Sequence, residues 1–496
     1  MQGKQYLKQR YAAILYASGV ILLVAALIIL SPLVLLAIYP EEFKNAPAFI
    51  LPSGSLCLIG ALLQRRLRSS ASVTLSIQEG GIIVVICWVL VMLFSAWPFV
   101  SILNMPFSSA FFESVSGWTT TGLSVVDVTT ADRMVLFFRS VIQLAGGAGL
   151  AIIMMSAIMG PTGVGISSAE GRSDQLAPHV RESARLVLII YSCYAVAGTL
   201  AYRVAGMSLF DAVNHAFCVV STGGFSTRPD SIGYWNSVPV EAVTLPLMLL
   251  GNLSFVTAWF LWRGRFRNVA QNGEVRLLSV IIPLAIAACF FLCCQQIYPQ
   301  LEKSVRVAIF ETVTAITTTG YSTVSYDNWN AFGMLLLIVL MVIGGGTCST
   351  AGGIKQFRVY LLWKILWWEI KRHRIPRNAV QERPIWEGNR RIFVDDARIR
   401  QVMAFIFLYL ATYLLGVMIL CASGFNLVDA LFEFASALGT VGLSVGVTSY
   451  QMPGAALWSE TIAMFLGRLE FIVVIVSLLK IGEDGRRMVG RTPREK

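Results

Sequence analysis

The chain is poor in charge. Only 14% of its 496 residues are Asp, Glu, Lys or Arg, while 56% are hydrophobic. A typical soluble domain carries about 25% charged residues, so this balance excludes an ordinary globular protein in water. Histidine is scarcer still. His179, His215 and His373 are the only three, none at metal-ligand spacing and none in an HExxH motif, so a zinc centre lacks its usual ligands. The nine cysteines are scattered through apolar segments, as at Cys289, Cys293 and Cys294, and form no CxxC pair. They read as small apolar residues, not as a disulfide or metal framework. Soluble mass is missing too: the polar loops at 160–183 and 371–398 are each too short for a domain with its own core. A polytopic membrane enzyme, such as a lipid or glycosyl transferase, would need clustered acids or histidines near one membrane face, and the sequence offers no such cluster. No organic cofactor is expected.

What the chain does have is apolar length. Residues 11–39 carry no charge at all, a run longer than the roughly 20 residues a bilayer needs. No small-residue cleavage site follows, so this is expected to be a retained span and not a signal peptide. Further spans are expected at about 47–63, 78–99, 133–159, 184–206, 237–262, 275–298, 331–365, 400–422 and 455–480, making ten. The net charge of +11 could point to nucleic acid, but its placement argues against that partner. Basic residues gather in alternate loops, at Arg65, Arg66 and Arg68, at Arg263, Arg265 and Arg267, at Lys371, Arg372 and Arg374, and at Arg486, Arg487 and Arg491. The loops between them are richer in acids, for example Glu41, Glu42, Asp127 and Asp327. This positive-inside pattern puts both termini in the cytoplasm.

Four stretches repeat. They are Thr119-Thr120-Thr121-Gly122-Leu123-Ser124, Ser221-Thr222-Gly223-Gly224-Phe225-Ser226, Thr317-Thr318-Thr319-Gly320-Tyr321-Ser322 and Gly439-Thr440-Val441-Gly442-Leu443-Ser444. Each keeps a Thr two residues before the aligned Gly and a Ser two after it, and the glycines recur about every 100 to 120 residues. Sixteen residues before each Gly stand Pro106, Ser208, Ser304 and Asn426, suited to the start of a short helix. Ser208 with Asp211, and Asn426 with Asp429, resemble capping boxes. Nine residues before each Gly come Glu113, His215, Glu311 and Glu433, matched positions that suit support of the following strand. One such string is an ordinary loop. Four in register, each after a short apolar segment and each between two spans, describe four quarters of one ring.

Non-helical backbone cannot face lipid, because its unpaired carbonyls would cost several kcal/mol each; it is tolerated where it lines an aqueous path. Four such strands on one axis would present rings of carbonyl oxygens able to replace the hydration shell of a potassium ion. Gly admits the backbone conformations this needs, and the negative C-terminal ends of the short helices would favour a cation. The expected fold is therefore an all-α polytopic membrane protein of ten transmembrane helices, with four pseudo-symmetric helix–pore-loop–helix repeats preceded by an extra helix pair. Its expected boundaries are 1–70 for the leading pair, then 71–165, 166–268, 269–380 and 381–496 for the four repeats, the last with a basic tail.

The four stretches and this layout resemble the Trk/Ktr/HKT superfamily of potassium transporters. The leading pair and the glycine-rich break described next resemble its bacterial TrkH branch. The resemblance implies a selectivity filter lined by Thr120, Thr121 and Gly122, by Thr222, Gly223 and Gly224, by Thr318, Thr319 and Gly320, and by Thr440, Val441 and Gly442, with potassium as the bound ion. Family members with Gly in all four copies, as here, are usually potassium-selective, while Ser in the first copy goes with sodium. Gly223 and Val441 depart from the family string by lacking a hydroxyl. The resemblance also implies the bacterial cytoplasmic membrane, a homodimer and a cytosolic nucleotide-binding regulatory subunit, TrkA-like, on the basic inner face.

The eighth span is interrupted by Gly344-Gly345-Gly346-Thr347-Cys348-Ser349-Thr350-Ala351-Gly352-Gly353. Each Gly weakens a helix by up to about 1 kcal/mol relative to Ala. A phosphate loop is excluded, because Ile354 splits Gly353 from Lys355 and Gln356 follows. Close packing through small residues is one reading. The other, which the TrkH resemblance implies, is an intramembrane loop crossing the ion path beneath the filter as a gate. Arg468 lies in an otherwise apolar span, where a guanidinium is costly unless it faces a cavity or a partner. It is either a tie to carbonyls or to an acid, or a positive barrier beside the path, coupled to the gate. Lys355 is an accessory to the gate or marks the inner end of the broken span.

Overall fold

The computed structural model describes residues 2–70, 73, 75–149, 180–374, 382–387 and 390–489. Residues 150–159 of the expected fourth span, most of the 160–183 loop, the 165/166 and 380/381 boundaries and Arg491 lie outside them. The described part is almost wholly helical. Six helices are long and apolar enough to cross a membrane: Lys4–Ala37, Pro40–Arg66, Gln78–Leu103, Arg185–Val204, Gly273–Ile297 and Asp396–Ala422. Two bent pairs, Val238–Asn252 with Phe255–Trp262 and Gly454–Leu469 with Phe471–Met488, raise the number to eight. The chain is a multi-pass membrane protein.

The leading helices Gln2–Leu30 and Ala46–Arg66 cross where Gly19 meets Gly60; small residues let two backbones approach closely inside a bilayer. The next helix, Ile77–Ser95, begins with a full capping box between Ser76 and Glu79. Glu79 also accepts from Arg10 Nε at 2.7 Å, which ties it to the leading pair.

Four short helices then alternate with the long ones: Phe107–Trp118, Leu209–Val220, Leu301–Ile316 and Leu427–Leu438, of 12, 12, 16 and 12 residues. At 1.5 Å per residue none covers a hydrocarbon core of about 30 Å. One expected start and one expected capping box need correcting. The third short helix begins at Leu301 with Gln300 before it, so Ser304 lies inside the helix and caps nothing. Asn426 does cap the fourth, but its side chain accepts from Val428 N and not from Asp429, so no capping box forms there. Ser208 caps its helix by accepting from Asp211 N at 3.0 Å, and Asp211 accepts in return from the Ser208 hydroxyl instead of its amide.

A larger difference concerns the helices that follow the repeated stretches. The sequence pointed to one interruption, in the third. Those after the second, third and fourth stretches are all interrupted: Val238–Asn252 turns by 117°, Ala331–Ile343 stops at Gly344 (φ 70°), and Gly454–Leu469 turns by 100° at Glu470 (φ 62°); Arg133–Ala148, after the first, ends at Gly149 (φ 73°), where the described segment also ends. The expected spans 237–262 and 455–480 are therefore not continuous. Close approaches lie just before three of these ends. A Cβ at Gly146, Gly251 or Gly467 would press on the carbonyl of Trp118, Val220 or Leu438, the last residue of the neighbouring short helix. Ser254 and Arg358 stabilise two of the turns, the first by accepting from Thr257 N at 3.2 Å and the second by pairing with Glu470 at 2.6 Å.

One segment is not helical in the way expected. Within the polar 371–398 region, Pro384–Glu387 pairs antiparallel with Arg390–Phe393. Ile385 and Val394 pack with Phe357, Tyr360, Leu361 and Val402 into a small separate apolar cluster.

Candidate functional site

Each short helix ends the same way. Thr121 N donates to Ser116 O, Gly223 N to Cys218 O, Thr319 N to Thr314 O and Val441 N to Ser436 O, at 2.8–3.0 Å. Thr120, Thr222, Thr318 and Thr440 donate their amides to the carbonyls of Gly117, Val219, Ala315 and Ala437. This is the Schellman pattern, which places its penultimate residue in the left-handed region. There the chain has Thr every time, at φ 55°, 50°, 51° and 49°. A β-branched residue at positive φ is an outlier that only a constraining surround maintains. Two residues later Gly122, Gly224, Gly320 and Gly442 are again at positive φ, 93°, 72°, 82° and 99°.

The four glycines meet in a closed cycle. A Cβ on Gly122 would fall on the carbonyl oxygen of Gly223, on Gly224 on that of Thr319, on Gly320 on that of Val441, and on Gly442 on that of Thr121. Each Gly thus abuts the residue preceding the Gly of the next stretch, and the last returns to the first. All four glycines line one open funnel of about 640 Å³, whose lining also carries the acids Asp127 and Asp230 and the cations Arg139 and Arg228. Hydrogen bonds from the Thr129 hydroxyl and amide hold the exposed Asp127 carboxyl below its ordinary pKa, so this charge stays ionised.

The side chains between Thr and Gly point away from the cycle, which accounts for Gly223 and Val441. In the first and third stretches the outer Thr hydroxyl bonds back to the Thr two residues earlier, Thr119 to Thr121 at 2.7 Å and Thr317 to Thr319 at 2.8 Å. In the second, the amide of Gln143 fills the space a Cβ at Gly223 would need, bonds the Gly223 carbonyl, and accepts from Phe225 N. In the fourth, Val441 is fully buried. No hydroxyl is needed at this position.

The matched residues nine before each Gly brace the exit of the strand. Glu113 accepts from Ser124 Oγ (2.9 Å) and Val125 N (3.0 Å), and Glu311 from Thr323 N (2.9 Å) and Tyr326 Oη (2.6 Å). Glu433 accepts from Ser444 Oγ (2.6 Å), Val445 N and Thr448 N (both 3.0 Å). His215 Nε2 lies 3.0 Å from Ser226 Oγ, so a neutral ring does the same work in the second quarter. Arg139 was not singled out from the sequence. It is buried, pairs with Glu113 at 2.8 Å, and donates to Ser226 O at 3.0 Å, linking the first and second stretches.

Beneath the cycle lies the glycine-rich segment between Ala331–Ile343 and Gln356–Arg372. It is closed by its own backbone bonds, Gly345 N to Gly352 O (2.9 Å), Ile354 N to Val342 O (3.0 Å) and Gln356 N to Gly345 O (2.8 Å). Its glycines are where close approach demands them: Cβ atoms on Gly344 and Gly353 would collide with each other's backbone, and one on Gly352 with Thr440 Oγ1 and Gly439 O. Gly346 N donates to the Asn252 side chain at 3.2 Å. The segment touches the stretches above it. Gly352 N donates to Thr318 Oγ1 at 2.8 Å, and Thr222 Oγ1 to Thr350 Oγ1 at 3.1 Å. Lys355 Nζ bonds the Ala351 carbonyl, with the Lys355 backbone at φ 84°. Arg468 donates to Thr350 O at 2.8 Å and to Gly146 O at 2.7 Å. The guanidinium therefore ties the loop to the helix end beside the first stretch, which is the carbonyl tie considered from the sequence. Below the loop, a cavity of about 20 Å³ bordered by Lys355, Gly467 and Arg468 has room for about one water.

Membrane-crossing helices around four converging non-helical segments define a membrane transport protein. The profile of the TrkH family, described as a cation transport protein, matches residues 50–276 and 294–487, and the chain belongs to that family. It is 31% identical over 474 residues to the Trk system potassium uptake protein TrkG of Escherichia coli K12, covering 92% of this chain and 96% of that one. It is 29% identical over 477 residues to the Trk system potassium uptake protein TrkH of Halomonas elongata, covering 93% and 97%. The crystal structure of the potassium transporter TrkH from Vibrio parahaemolyticus aligns with a TM-score of 0.82 at 27% identity, over 95% of this chain and 98% of that one. The chain is accordingly a transporter and not an enzyme.

Proposed function

We propose that this protein takes up potassium across a bacterial cytoplasmic membrane through a selectivity filter made of Thr120–Gly122, Thr222–Gly224, Thr318–Gly320 and Thr440–Gly442. The observation that carries the reading is the cyclic contact among the four glycines, combined with a left-handed Thr and a left-handed Gly in every copy. Alternating left-handed and ordinary residues turns successive carbonyls to one side of a strand, and rings of such carbonyls suit a dehydrated potassium ion. The hydroxyls of Thr120 and Thr440 are buried with no partner among the described residues, and on this reading they serve the ion at the inner end of the filter. The short helices direct their C-terminal ends, about half a negative charge each, towards it.

The four quarters are read as pseudo-symmetric repeats, bounded near 71–165, 166–268, 269–380 and 381–496, after a leading pair in 1–70. With broken spans counted once this gives ten crossings, both termini cytoplasmic. The 344–353 loop, with Lys355 and Arg468, is the gate, drawn closed by the bonds that hold it against Thr222 and Thr318. A homodimer and a cytosolic nucleotide-binding regulator complete the assembly, in keeping with relatives that bear the name of a Trk system. Inward flow is driven by the membrane potential, at about 2.3 kcal/mol per charge per 100 mV. The test is uptake into proteoliposomes of potassium, rubidium and sodium in parallel. Potassium and rubidium should enter well ahead of sodium, and absence of flux for every alkali cation would overturn the proposal.

A further inference from the structure

The fourth quarter holds a pair of acids that conduction does not use. Glu433, on the short helix Leu427–Leu438, and Glu460, on Gly454–Leu469, are both completely buried. Both touch one atom. Thr448 Oγ1 bonds Glu433 Oε1, and it lies 3.1 Å from Glu460 Oε2. Among the described residues neither carboxyl has an ion pair with Lys, Arg or His, and Glu460 Oε1 has no hydrogen-bond partner.

The groups on the packed elements offer no relief. The neighbouring short helix Phe107–Trp118 contributes Glu113, already paired with Arg139. Asp396–Ala422 contributes the phenols Tyr409 and Tyr413, the second donating to Leu431 O at 2.8 Å. On Phe471–Val489, Lys480 and Asp484 lie 3.3 Å apart and satisfy each other. Leu427–Leu438 contributes Glu433 itself and, one turn earlier, a further acid, Asp429, while Ala331–Ile343, packed on it, carries no titratable group.

Hydrogen counting then decides the protonation state. A hydroxyl has one hydrogen. Glu433 is a full acceptor, taking the amides of Val445 and Thr448 and the hydroxyl of Ser444, so Thr448 gives its hydrogen to Glu433. The contact between Thr448 Oγ1 and Glu460 Oε2 can be a hydrogen bond only if Glu460 supplies a second hydrogen. Two carboxylates on one hydroxyl in a medium without water cannot both be ionised, and an unpaired buried charge would be expensive.

We propose that Glu460 binds a proton behind the fourth filter strand, donating it from Oε2 to Thr448 Oγ1, and that this proton keeps the Glu433 brace in place. In the first quarter the matched acid, Glu113, is offset by the cation Arg139 on the helix that follows; in the fourth, the helix that follows brings a second acid, and a proton does the offsetting. Loss of the proton to hydroxide, giving water and a Glu460 carboxylate, sets two anions against Thr448. That pulls the 444–448 segment away from Glu433 and disturbs the strand that Gly442 ends.

The chemistry of the pair stands without the transport reading, while its effect on flux rests on it, and the two are measured separately. Infrared difference spectra of the purified protein, wild type against Glu460→Gln, should show the carbonyl stretch of a protonated carboxylic acid at neutral pH that the variant lacks. Rubidium uptake by the wild type should be lost on moving to alkaline buffer in step with the disappearance of that band. Uptake by Glu460→Gln, whose amide can still donate to Thr448, should persist there. No band removed by the substitution overturns the protonated Glu460. A band that titrates while both proteins lose uptake alike overturns its link to the filter. Should Glu460→Gln fail to fold, the wild-type titration alone decides, since a band that stays while uptake falls refutes the proposal. Absent uptake at every pH refutes potassium conduction and leaves the infrared result standing.

Discussion

Gly122→Ser is the sharpest perturbation of the proposed filter. Gly122 sits at φ 93°, a conformation that strains an L-residue by about 1–2 kcal/mol. Its new Cβ would land on the Gly223 carbonyl oxygen, with Gly223 C at 3.2 Å and Gly224 C at 3.4 Å. All three neighbours are backbone, and Gln143 pins the carbonyl from behind, so the strain cannot be released by a side-chain rotation. The carbonyl must turn off the axis. If it contributes to an ion site as much as a charge-assisted hydrogen bond, about 1.5–3 kcal/mol, the preference for rubidium over sodium falls by about tenfold to a hundredfold. The cycle of contacts predicts the same for Ala at Gly224, Gly320 or Gly442. Gly446→Ala is the control: its φ is 89°, yet a Cβ there meets nothing within 4 Å, so it should lower stability and leave selectivity alone. The assay is sodium competition against rubidium uptake in proteoliposomes, with thermal unfolding in detergent to check integrity. A folded Gly122→Ser protein with unchanged preference would refute the reasoning, as would a Gly446→Ala protein that loses preference equally.

Arg468→Ala removes the donors to Thr350 O and Gly146 O and should raise rubidium flux in the absence of any regulator; unchanged or lower flux counts against the loop as a gate. Gly352→Ala drives a Cβ into Thr440 Oγ1 and Gly439 O, so it should raise the same basal flux by lifting the loop, measured in the same vesicles. Arg139→Ala strands the buried Glu113 carboxylate and should destabilise the protein by about 3–5 kcal/mol. The double variant Arg139→Ala with Glu113→Gln should recover part of that loss in thermal unfolding, since it leaves no buried charge.

The repeated strings were legible because the chemistry repeats with them: Thr before, Gly at the turn, Ser after. The bracing by Glu113, Glu311 and Glu433 was legible for the same reason. Apart from the glycine-rich break in the third quarter, the helix ends were not. Yet they had a signal of their own in Gly146-Gly147, Gly251-Asn252, Gly344-Gly345 and Gly467-Arg468. Each pair begins with a Gly and lies within a few residues of a helix end, and only the third looks glycine-rich alone. Gly251 and Gly467 are single glycines in apolar runs, which local propensity tolerates; both stay helical, two or three residues before the break, and lie against the carbonyl at the end of a short helix. Gln143 and Arg139 lie in the helix Arg133–Ala148 with no repeat partner at their positions, so nothing periodic marked them. Ser304 misled for the opposite reason. It kept the spacing of a cap while the third short helix had extended by a turn beyond it.

The four quarters share a backbone and little else. Their braces are an acid paired with Arg139, a neutral His215, an acid bonded by Tyr326, and an acid beside Glu460. What they have in common is the helix end that forces Thr into the left-handed region. That identity of main chain is what a carbonyl-based filter requires, so the side chains are free to differ wherever they reproduce it. The difference falls where the loop meets the ring. Thr318 Oγ1 accepts from Gly352 N and Thr222 Oγ1 lies 3.1 Å from Thr350 Oγ1 besides bonding Ser221 O at 2.7 Å, whereas Thr120 and Thr440 have no hydroxyl partner among the described residues. On the proposed reading, withdrawal of the loop frees Thr318 to join the other two, while Thr222 keeps its bond to Ser221 O. Opening the path and completing the inner end of the filter would then be one event, with Arg468 holding the closed side through Thr350.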